Sequence, residues 1–252
     1  MQTSFLITAR LKSKRLPKKI LLKVNHTPLV VHMINRIKYS SKINKIIICT
    51  STNKQDNPLE KIAQQEGIEC YRGSENDVLK RLLYAAKKYK LDYFANMTAD
   101  VPMIDPTIID DAVKEYNKTN VDLILPENYC FNGCHIIRVS SLEKICKIKK
   151  EHNTECWIDF FKTQKNFYIH KLKVKKEKKY RHIKTSLDYP EDYLFIKKIF
   201  KNLYNSNKIF TNKDIISLVK KNPELIEINL NKFFLQRWKN HIASLKLNLF
   251  NQ

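Results

Sequence analysis

Polar side chains follow four short apolar stretches of the chain, at the positions where buried strands of a sheet would end. The stretches span residues 5–7, 46–49, 68–71 and 93–97. When such strands run parallel, their carboxyl ends meet at one edge of the sheet, and open α/β sheets bind ligands at that edge. The residues that follow the stretches are Arg10, Ser13, Arg15 and Lys19, then Thr50, Ser51, Thr52 and Asn53, then Arg72, Gly73, Ser74 and Asp77, and finally Thr98 and Asp100.

This set of residue types could hold a nucleoside triphosphate together with magnesium. Loop N–H groups and the cations after the first stretch can neutralise phosphate charge. Magnesium is usually held by one or two carboxylates, with phosphates and water completing its shell. Asp100, which directly follows a buried stretch, is the best single ligand. The hydroxyls and the asparagine after the second stretch could hydrogen-bond a base or a ribose.

Each of these residues has a plainer explanation when it is taken alone. Arg10 or Lys19 could be an ordinary surface charge, and Asp100 could open a turn before Pro102. Asp77 could simply cap the helix that follows it. The prediction of a ligand site therefore depends on the coincidence of all these residues at the strand ends.

Helical patterns between the stretches predict βαβ units and a mostly parallel sheet. The segment 128–185 has a less regular pattern, with a hairpin or an extension at 167–174. The predicted helices span 28–39, 58–67, 77–89, 107–119, 190–204 and 211–222, and a further strand spans 121–125. We therefore expect one domain over 1–230, with a nucleotide-binding part at about 1–125, a substrate or oligomerisation part at about 126–185, and an amphipathic C-terminal helix at 231–252.

The composition is that of a folded protein with a large core. Hydrophobic residues make up 43% of the 252 residues, which excludes wholesale disorder. The longest apolar runs are far shorter than the ~20 residues that cross a bilayer. The first ten residues lack the basic region of a signal peptide, so we expect a cytoplasmic protein without membrane partners.

The formal charge of +22 has two interpretations. It could attract nucleic acid, but only 8 of the 47 basic residues are arginine, the side chain that usually recognises bases and phosphates. The lysine excess accompanies many Asn and Ile residues, a mixture that A/T-rich codons alone would produce. We favour this compositional explanation and expect no specific nucleic-acid partner. A basic nucleic-acid-binding protein, with steeply salt-dependent affinity and no need for Asp100, remains the alternative.

Cysteines and glycines exclude several other classes of site. The six cysteines have no framework spacing, and Cys130, Cys134 and His135 lack the further ligands of a structural zinc site, so reduced thiols are the better interpretation. Only three glycines occur, which rules out both G-x-G-x-x-G and a Walker loop. A sugar-transferring enzyme on the same fold remains a second alternative, although that class usually shows a D-x-D metal motif and the second residue after Asp100 is Pro102.

Seven motifs occur in order between about residue 5 and about residue 230. They read ARLKSKRLPKK at 9–19, TSTNKQDNP at 50–58, RGSENDVLKR at 72–81, ADVPMIDP at 99–106, KEHNT at 150–154, TSLDYPEDY at 185–193 and FTNKDIISLVKKNPE at 210–224. Together they resemble the cytidylyltransferase superfamily that activates acidic sugars such as Kdo and sialic acids. The resemblance is strongest to its spore-coat polysaccharide biosynthesis protein F branch.

The resemblance implies a fold, a reaction and a set of site residues. The fold would be a Rossmann-like three-layer α/β/α sandwich of the nucleotide-diphospho-sugar transferase type, with a helical C-terminal part. The reaction would transfer CMP from CTP to a sugar and release pyrophosphate, with Mg²⁺ as cofactor and a homodimer as a common assembly. The implied residues are Arg15, Lys19 and Asp100 for catalysis, Asp100 and Asp188 for the metal, and Ala9, Arg10, Ser13, Thr50, Ser51, Arg72, Gly73, Ser74 and Thr98 for the nucleotide.

Some positions depart from the family pattern. Lys12 replaces a glycine of the first loop, which a lysine can do only where φ is negative. Ala99 replaces the glycine before Asp100, and the residues at 131–135 stand where relatives carry G-L-D-x-E. An anionic sugar would suit the local positive field, and its predicted contacts are Gly133, His135, Arg138 and His152.

Overall fold

Short strands form where β-branched and aromatic residues run without interruption, a pattern that fits strands buried on both faces. The computed structural model of the chain describes residues 3–126, 132–172, 182–232 and 234. The strands are β1 Thr3–Thr8, β2 Lys23–Val24, β3 Thr27–Pro28, β4 Ile43–Ser51, β5 Glu69–Gly73, β6 Tyr93–Thr98, β7 Leu123–Pro126, β8 His135–Arg138 and β9 Ile169–Leu172.

Within the described residues, seven strands form one sheet in the order β5-β4-β1-β6-β8-β7-β9. The strands β5, β4, β1 and β6 run parallel, so their carboxyl ends share one edge, which we call the rim. Strand β8 is antiparallel to both β6 and β7, and β9 runs parallel to β7. The amino end of β8 therefore lies at the rim beside the carboxyl end of β6. The small strands β2 and β3 form a separate hairpin.

Helices cover both faces of this sheet. Their bounds are α1 Leu29–Lys38, α2 Asn57–Gln65, α3 Val78–Lys88, α4 Pro106–Thr119, α5 Val139–Ile148, α6 Trp157–Lys162, α7 Pro190–Leu203 and α8 Asn212–Lys221. Apolar side chains of α1, α2 and α4 pack on one face, and those of α3, α5 and α6 pack on the other. A third apolar cluster joins α7 and α8 to the start of α1. This arrangement confirms the predicted three-layer sandwich with a mostly parallel sheet and a helical C-terminal part.

The region after β7 is more regular than its sequence suggested. The segment 128–185 contains β8, α5 and α6, none of which was predicted, although α5 buries Val139, Leu142 and Ile145 at helical spacing. The extension predicted at 167–174 contains β9, which pairs with β7 in parallel. Cys130 and the first residue of the 131–135 stretch lie outside the described residues, as does almost all of the predicted helix at 231–252.

Arg36 secures the C-terminal helices to the sheet. Its side chain is buried, and its Nε and Nη2 donate hydrogen bonds to the carbonyls of Ile104, at 2.7 Å, and of Phe210, at 2.5 Å. Its guanidinium also lies 4.3 Å from the centre of the Phe210 ring. Burial lowers the pKa of Arg36 to about 10, so the side chain remains charged at neutral pH. One cation thus joins α1, the loop after β6 and the segment before α8.

No helix in the described part of the chain combines the length and apolar character that crossing a membrane requires.

Candidate active site

The rim brings together two aspartates that lie far apart in the sequence. Asp100 follows β6, and its carbonyl accepts a hydrogen bond from the N–H of Leu187 at 2.8 Å. This backbone contact sets Asp188 beside Asp100, one residue before Tyr189, the N-cap of α7. Asp188 is buried, and the Thr98 hydroxyl donates to Asp100 Oδ1 at 2.5 Å.

Lys19 contacts both aspartates. It begins a short 3-10 turn at Lys19–Leu21, and Lys18 before it adopts a left-handed conformation with φ 52°. The Lys19 ammonium donates to Asp100 Oδ2 at 2.9 Å, to Asp188 Oδ1 at 3.1 Å and to the carbonyl of Leu187 at 2.5 Å. Three donors with three acceptors satisfy the ammonium group in a largely buried position.

Arg15 approaches the same carboxylate from the first loop. Its Nη2 donates to Asp188 Oδ1 at 2.7 Å, and its guanidinium lies 5.1 Å from the centre of the Tyr189 ring. The Arg15 side chain is 38% exposed, so its remaining surface faces solvent at the rim. Four of the predicted residues, Arg15, Lys19, Asp100 and Asp188, therefore form one charge cluster.

Each charged group of this cluster favours the charged form of its neighbours. Burial by itself would raise the pKa of Asp188, but Lys19, Lys184 and Arg15 lower it below its usual value. Burial likewise opposes the charge on Lys19, yet Asp100 and Asp188 raise the pKa of Lys19 above its usual value. The ammonium and the carboxylate of Asp188 are therefore both charged at neutral pH, in a place that little water reaches.

The two carboxylates fit a divalent cation of the magnesium type. Asp100 and Asp188 supply hard oxygen atoms that already share a single cation, the Lys19 ammonium. Among the described residues, no group of three or more His, Cys, Asp or Glu side chains could hold a metal ion. Magnesium does not need such a cage, because it keeps water and phosphate oxygens as ligands and takes only one or two carboxylates.

The first loop is held in place by Asp56, a residue that the sequence analysis did not select. The carboxylate of Asp56 is fully buried and accepts the N–H of Leu11 at 2.8 Å and the hydroxyl of Ser51 at 2.5 Å. Ser51 therefore acts through Asp56 on the loop that contains Ala9, Arg10 and Ser13. The signal was available, since Asp56 lies within the motif at 50–58.

The first loop needs no glycine at position 12, where the chain departs from the family pattern. Lys12 has a negative φ, so a lysine backbone adopts the observed conformation without strain. Its Nζ lies 3.3 Å from Glu75 Oε1 across the rim. Ser13 stabilises the following turn, since its Oγ accepts the N–H of Leu16 at 3.3 Å.

Arg72 contacts the segment after β4. Its guanidinium donates to the carbonyls of Ser51 and Asn53, each at 2.9 Å, and to Asn57 Oδ1 and Glu60 Oε2, each at 2.8 Å. These contacts occupy much of the side chain and fix its position. Arg72 therefore shapes the rim between β4 and β5, and it is not part of the cluster around Asp100.

Gly73 lies close to two side chains, so a larger residue there would displace one of them. A Cβ at this position would lie 3.0 Å from the Tyr71 ring and 3.2 Å from Arg81 Cγ. Next to it, Ser74 Oγ accepts the N–H of Asp77 at 3.1 Å. Thr50 is also buried at the rim, and its Oγ1 has no hydrogen-bond partner among the described residues.

A cavity of about 300 Å³ opens beside this turn. It combines Gly73 and Ser74, which were predicted for the nucleotide, with His152, which was predicted for the sugar. Its other lining residues are Tyr71, Asn76, Asp77, Lys80, Arg81 and Tyr84.

The segment 149–155 is attached to the same side of the rim. Lys149 and Asp77 form a buried ion pair at 2.6 Å, and the Thr154 hydroxyl donates to Asp77 Oδ1 at 3.1 Å. Further along, Glu155 Oε1 lies 2.6 Å from Arg10 Nη2. This segment therefore lies over the first loop and carries His152 toward the cavity.

The remaining predicted residues lie on or before β8. His135, the first residue of β8, lies at the rim beside Asn96, and Gly133 precedes it by two residues. His135 is buried with its ring edge-on to Trp157 at 5.2 Å. Burial lowers the pKa of His135 to about 3, so the ring is neutral. Arg138 pairs instead with Tyr93 at the amino end of β6 and hydrogen-bonds Asn120. The structure therefore does not bring Arg138 together with the other predicted residues, and we do not retain it as a sugar contact.

Comparison with known proteins places the chain in a family. A family model described as cytidylyltransferase matches residues 4–228. The spore coat polysaccharide biosynthesis protein SpsF of Bacillus subtilis (strain 168) is 25% identical over 87% of this chain and 95% of its own. The 3-deoxy-manno-octulosonate cytidylyltransferase of Chloroherpeton thalassium is 32% identical over 45% of each chain. Among solved structures, a cytidylyltransferase from Leptospira borgpetersenii serovar Hardjo-bovis superimposes with a TM-score of 0.80 at 29% identity, over 90% of this chain and 97% of that one.

Proposed function

Because the chain belongs to the cytidylyltransferase family of nucleotidyltransferases and resembles its spore-coat branch, we propose that it transfers CMP from CTP to an acidic sugar and releases pyrophosphate. The activated sugar would serve the synthesis of a surface polysaccharide or another glycoconjugate. The observation that carries the proposal is the convergence of Arg15, Lys19, Asp100 and Asp188 at the rim of the sheet.

The cluster suits in-line displacement at the α-phosphorus of CTP. The nucleophile is an oxygen of the sugar, so no serine or cysteine nucleophile is needed. Arg15 and Lys19 would neutralise the charge that develops on the phosphate oxygens, in a place where burial strengthens electrostatic interactions. Asp100 and Asp188 would hold a magnesium ion, which when bound orients the triphosphate and offsets part of its charge.

The rest of the nucleotide would lie along the carboxyl ends of β1, β4 and β5. The first loop, with Ala9, Arg10 and Ser13, would contact the phosphates. Thr50 and Ser51 would lie beside the base, and Gly73 and Ser74 would border it at the cavity. The role of Arg72 would be to fix this part of the rim, since its guanidinium contacts the segment after β4.

An acidic sugar is supported by the local charges and by the relatives. Cations of three elements, Arg10, Lys149 and Lys80, lie around the segment that carries His152. The relative from Chloroherpeton thalassium is named for an acidic sugar. We propose that His152, Gly133 and His135 border this substrate, and that the part of the chain at about 126–185 provides the sugar side and the contact of a homodimer.

The test is pyrophosphate release from each of four nucleoside triphosphates with a panel of acidic and neutral sugars. We expect release with CTP and an acidic sugar, and a loss of at least about 100-fold in kcat for Asp100→Ala, in line with the loss of a preorganised charge. Asp111→Ala is the matched control, because Asp111 is an exposed aspartate of α4 whose carboxylate lies near Lys114 and is not part of the cluster. Activity that survives Asp100→Ala would remove the metal assignment, and release with another triphosphate or with neutral sugars alone would overturn the substrate.

A further inference from the structure

Asp188 lies on a turn whose polar groups converge on one buried carboxylate, that of Asp192. Asp192 is fully buried, and its Oδ2 accepts the N–H groups of Asp188 and Tyr189, each at 2.9 Å. Its Oδ1 accepts a hydrogen bond from Asn229 Nδ2 at 3.0 Å. As residue N3 of α7, Asp192 completes a capping box with Tyr189, which fixes the backbone on which Asp188 stands.

A capping box does not require a cation, yet a buried lysine occupies this turn. Lys184 is only 4% exposed, and its ammonium donates to Asp192 Oδ2 and to the carbonyl of Ser186 at 2.8 Å. It also lies 3.5 Å from Asp188 Oδ2. Burying an ammonium is costly unless it is paired and hydrogen-bonded, and Lys184 meets that condition with partners that include Asp188, beyond the helix cap.

The two oxygens of Asp188 face different cations. Oδ1 accepts from Arg15 and Lys19, on the side of Asp100, whereas Oδ2 faces Lys184. A carboxylate held at one oxygen only could rotate about its terminal bond, and the second contact restricts that rotation. Lys184 therefore adds a second restraint on the orientation of the Asp188 carboxylate.

We propose that Lys184, anchored on Asp192, is a positioning residue that orients Asp188 for the divalent ion of the reaction. This inference rests on the proposed function, because it assigns Asp188 to the metal. Mutation of a group that orients a metal ligand typically lowers the metal affinity by about 10- to 100-fold. Through Asn229, which also donates to the carbonyl of Lys184 at 3.0 Å, the same pair links the site to the 3-10 turn at Pro223–Ile228.

The test measures the affinity for CTP by titration calorimetry with and without Mg²⁺, in the absence of a sugar. The ratio of the dissociation constant without Mg²⁺ to the dissociation constant with Mg²⁺ isolates the metal-dependent part of binding. The variants are Lys184→Met and the double variant Lys184→Met with Asp192→Asn, which removes both charges and leaves an oxygen to accept the N–H groups of the turn. Replacing a buried pair by neutral residues is often tolerated, so the double variant keeps the test valid if the single variant fails to fold.

We expect the ratio to fall by about 10-fold or more in both variants, while the affinity without Mg²⁺ changes less than about 2-fold. The matched control is Lys87→Met with Glu143→Gln, which removes a lysine–carboxylate pair between α3 and α5 that is not part of the site and should leave the ratio unchanged. An unchanged or larger ratio in the Lys184 variants would overturn the inference while leaving the proposed function intact. No metal-dependent binding in the wild type, or a ratio that survives Asp100→Ala, would overturn the metal assignment and this inference with it.

Discussion

Lys19→Met should destabilise the protein without magnesium and make its stability depend on magnesium. In the wild-type structure the Lys19 ammonium is the cation that Asp100 and Asp188 share. Methionine has nearly the same length as lysine but carries no charge, so the substitution removes the cation with little change of shape. Two carboxylates then face each other in a largely buried place.

The magnitude follows from the distances. The two oxygens lie 2.9 and 3.1 Å from the same nitrogen, so they are at most about 6 Å from each other. Two unit charges at about 6 Å repel by about 3 kcal/mol at an effective dielectric constant of about 20. For a chain of this size, a loss of about 3 kcal/mol lowers the melting temperature by roughly 6 to 12 °C.

The assay is thermal unfolding of the wild type and of Lys19→Met, each with and without magnesium chloride. A divalent ion should stabilise the variant more than the wild type, because in the wild type the ammonium competes for the same oxygens. Lys118→Met, at an exposed position of α4, is the control and should melt with the wild type under both conditions. Equal magnesium-induced shifts in Lys19→Met and in the wild type would refute the reasoning, since they would mean that the two aspartates do not share one cation position.

Three further predictions concern the anchors of the site and of the fold. Asp56→Ala leaves the N–H of Leu11 and the hydroxyl of Ser51 without their acceptor. We therefore expect the free energy of unfolding, measured with denaturant, to fall by about 2–4 kcal/mol and the Kd for CTP to rise at least about 10-fold. A loss of stability with an unchanged Kd would show that Asp56 supports only the fold. Arg36→Met removes two charge-assisted hydrogen bonds between α1 and the segments before α4 and α8, which should cost about 3–5 kcal/mol, and a cost below about 1 kcal/mol would contradict that account. Stability should fall as the pH drops below about 4, because the pKa values of Asp188, Asp110 and Asp214 are lowered in the folded state. Burial would raise each of these pKa values, but neighbouring cations or hydrogen-bond donors lower them more. A carboxylate with a lowered folded pKa stabilises the fold above its unfolded pKa and loses that effect as the pH falls, so Asp188→Asn should flatten the acid limb of the curve, while Asp111→Asn should not.

The parallel half of the fold could be predicted because each of its strands is a continuous apolar run that ends in polar residues. That pattern located Arg15, Lys19 and Asp100 at one edge without any knowledge of the family. The same reasoning could not find Asp188, which lies 173 residues beyond Arg15 and reaches it through a backbone contact of the preceding residue. Only the resemblance to a family identified it, because on local evidence Asp188 resembles a turn residue before Pro190.

Strand direction explains why Arg138 lies apart from the other predicted residues. The sequence did not predict a strand at His135–Arg138, and it says nothing about whether this stretch approaches the rim or leaves it. Strand β8 is antiparallel to β6, so His135 lies beside Asn96 near the rim, and Arg138 lies three residues further away beside Tyr93. Sequence proximity to a site residue is therefore a poor guide wherever a parallel sheet receives an antiparallel strand.

Three buried carboxylates fix the loops of the site. Asp77 was among the candidates at the strand ends, but Asp56 and Asp192 were not. Asp56 fixes the first loop, Asp77 fixes the segment that carries His152, and Asp192 fixes the turn that carries Asp188. Each acts on backbone N–H groups or on another buried side chain, so each holds its loop whether or not a ligand is bound.

Two further cations of the rim, Arg10 and Lys12, are held differently. Arg10 pairs with a half-exposed Glu155, and Lys12, itself 52% exposed, pairs with Glu75. Exposed pairs of this kind contribute only about 0–1 kcal/mol, so an incoming polyphosphate can replace either carboxylate at little cost. The rim thus combines a backbone that is fixed by buried anchors with cations that are free to exchange partners, which is the combination that binding a highly charged substrate and releasing a highly charged product both require.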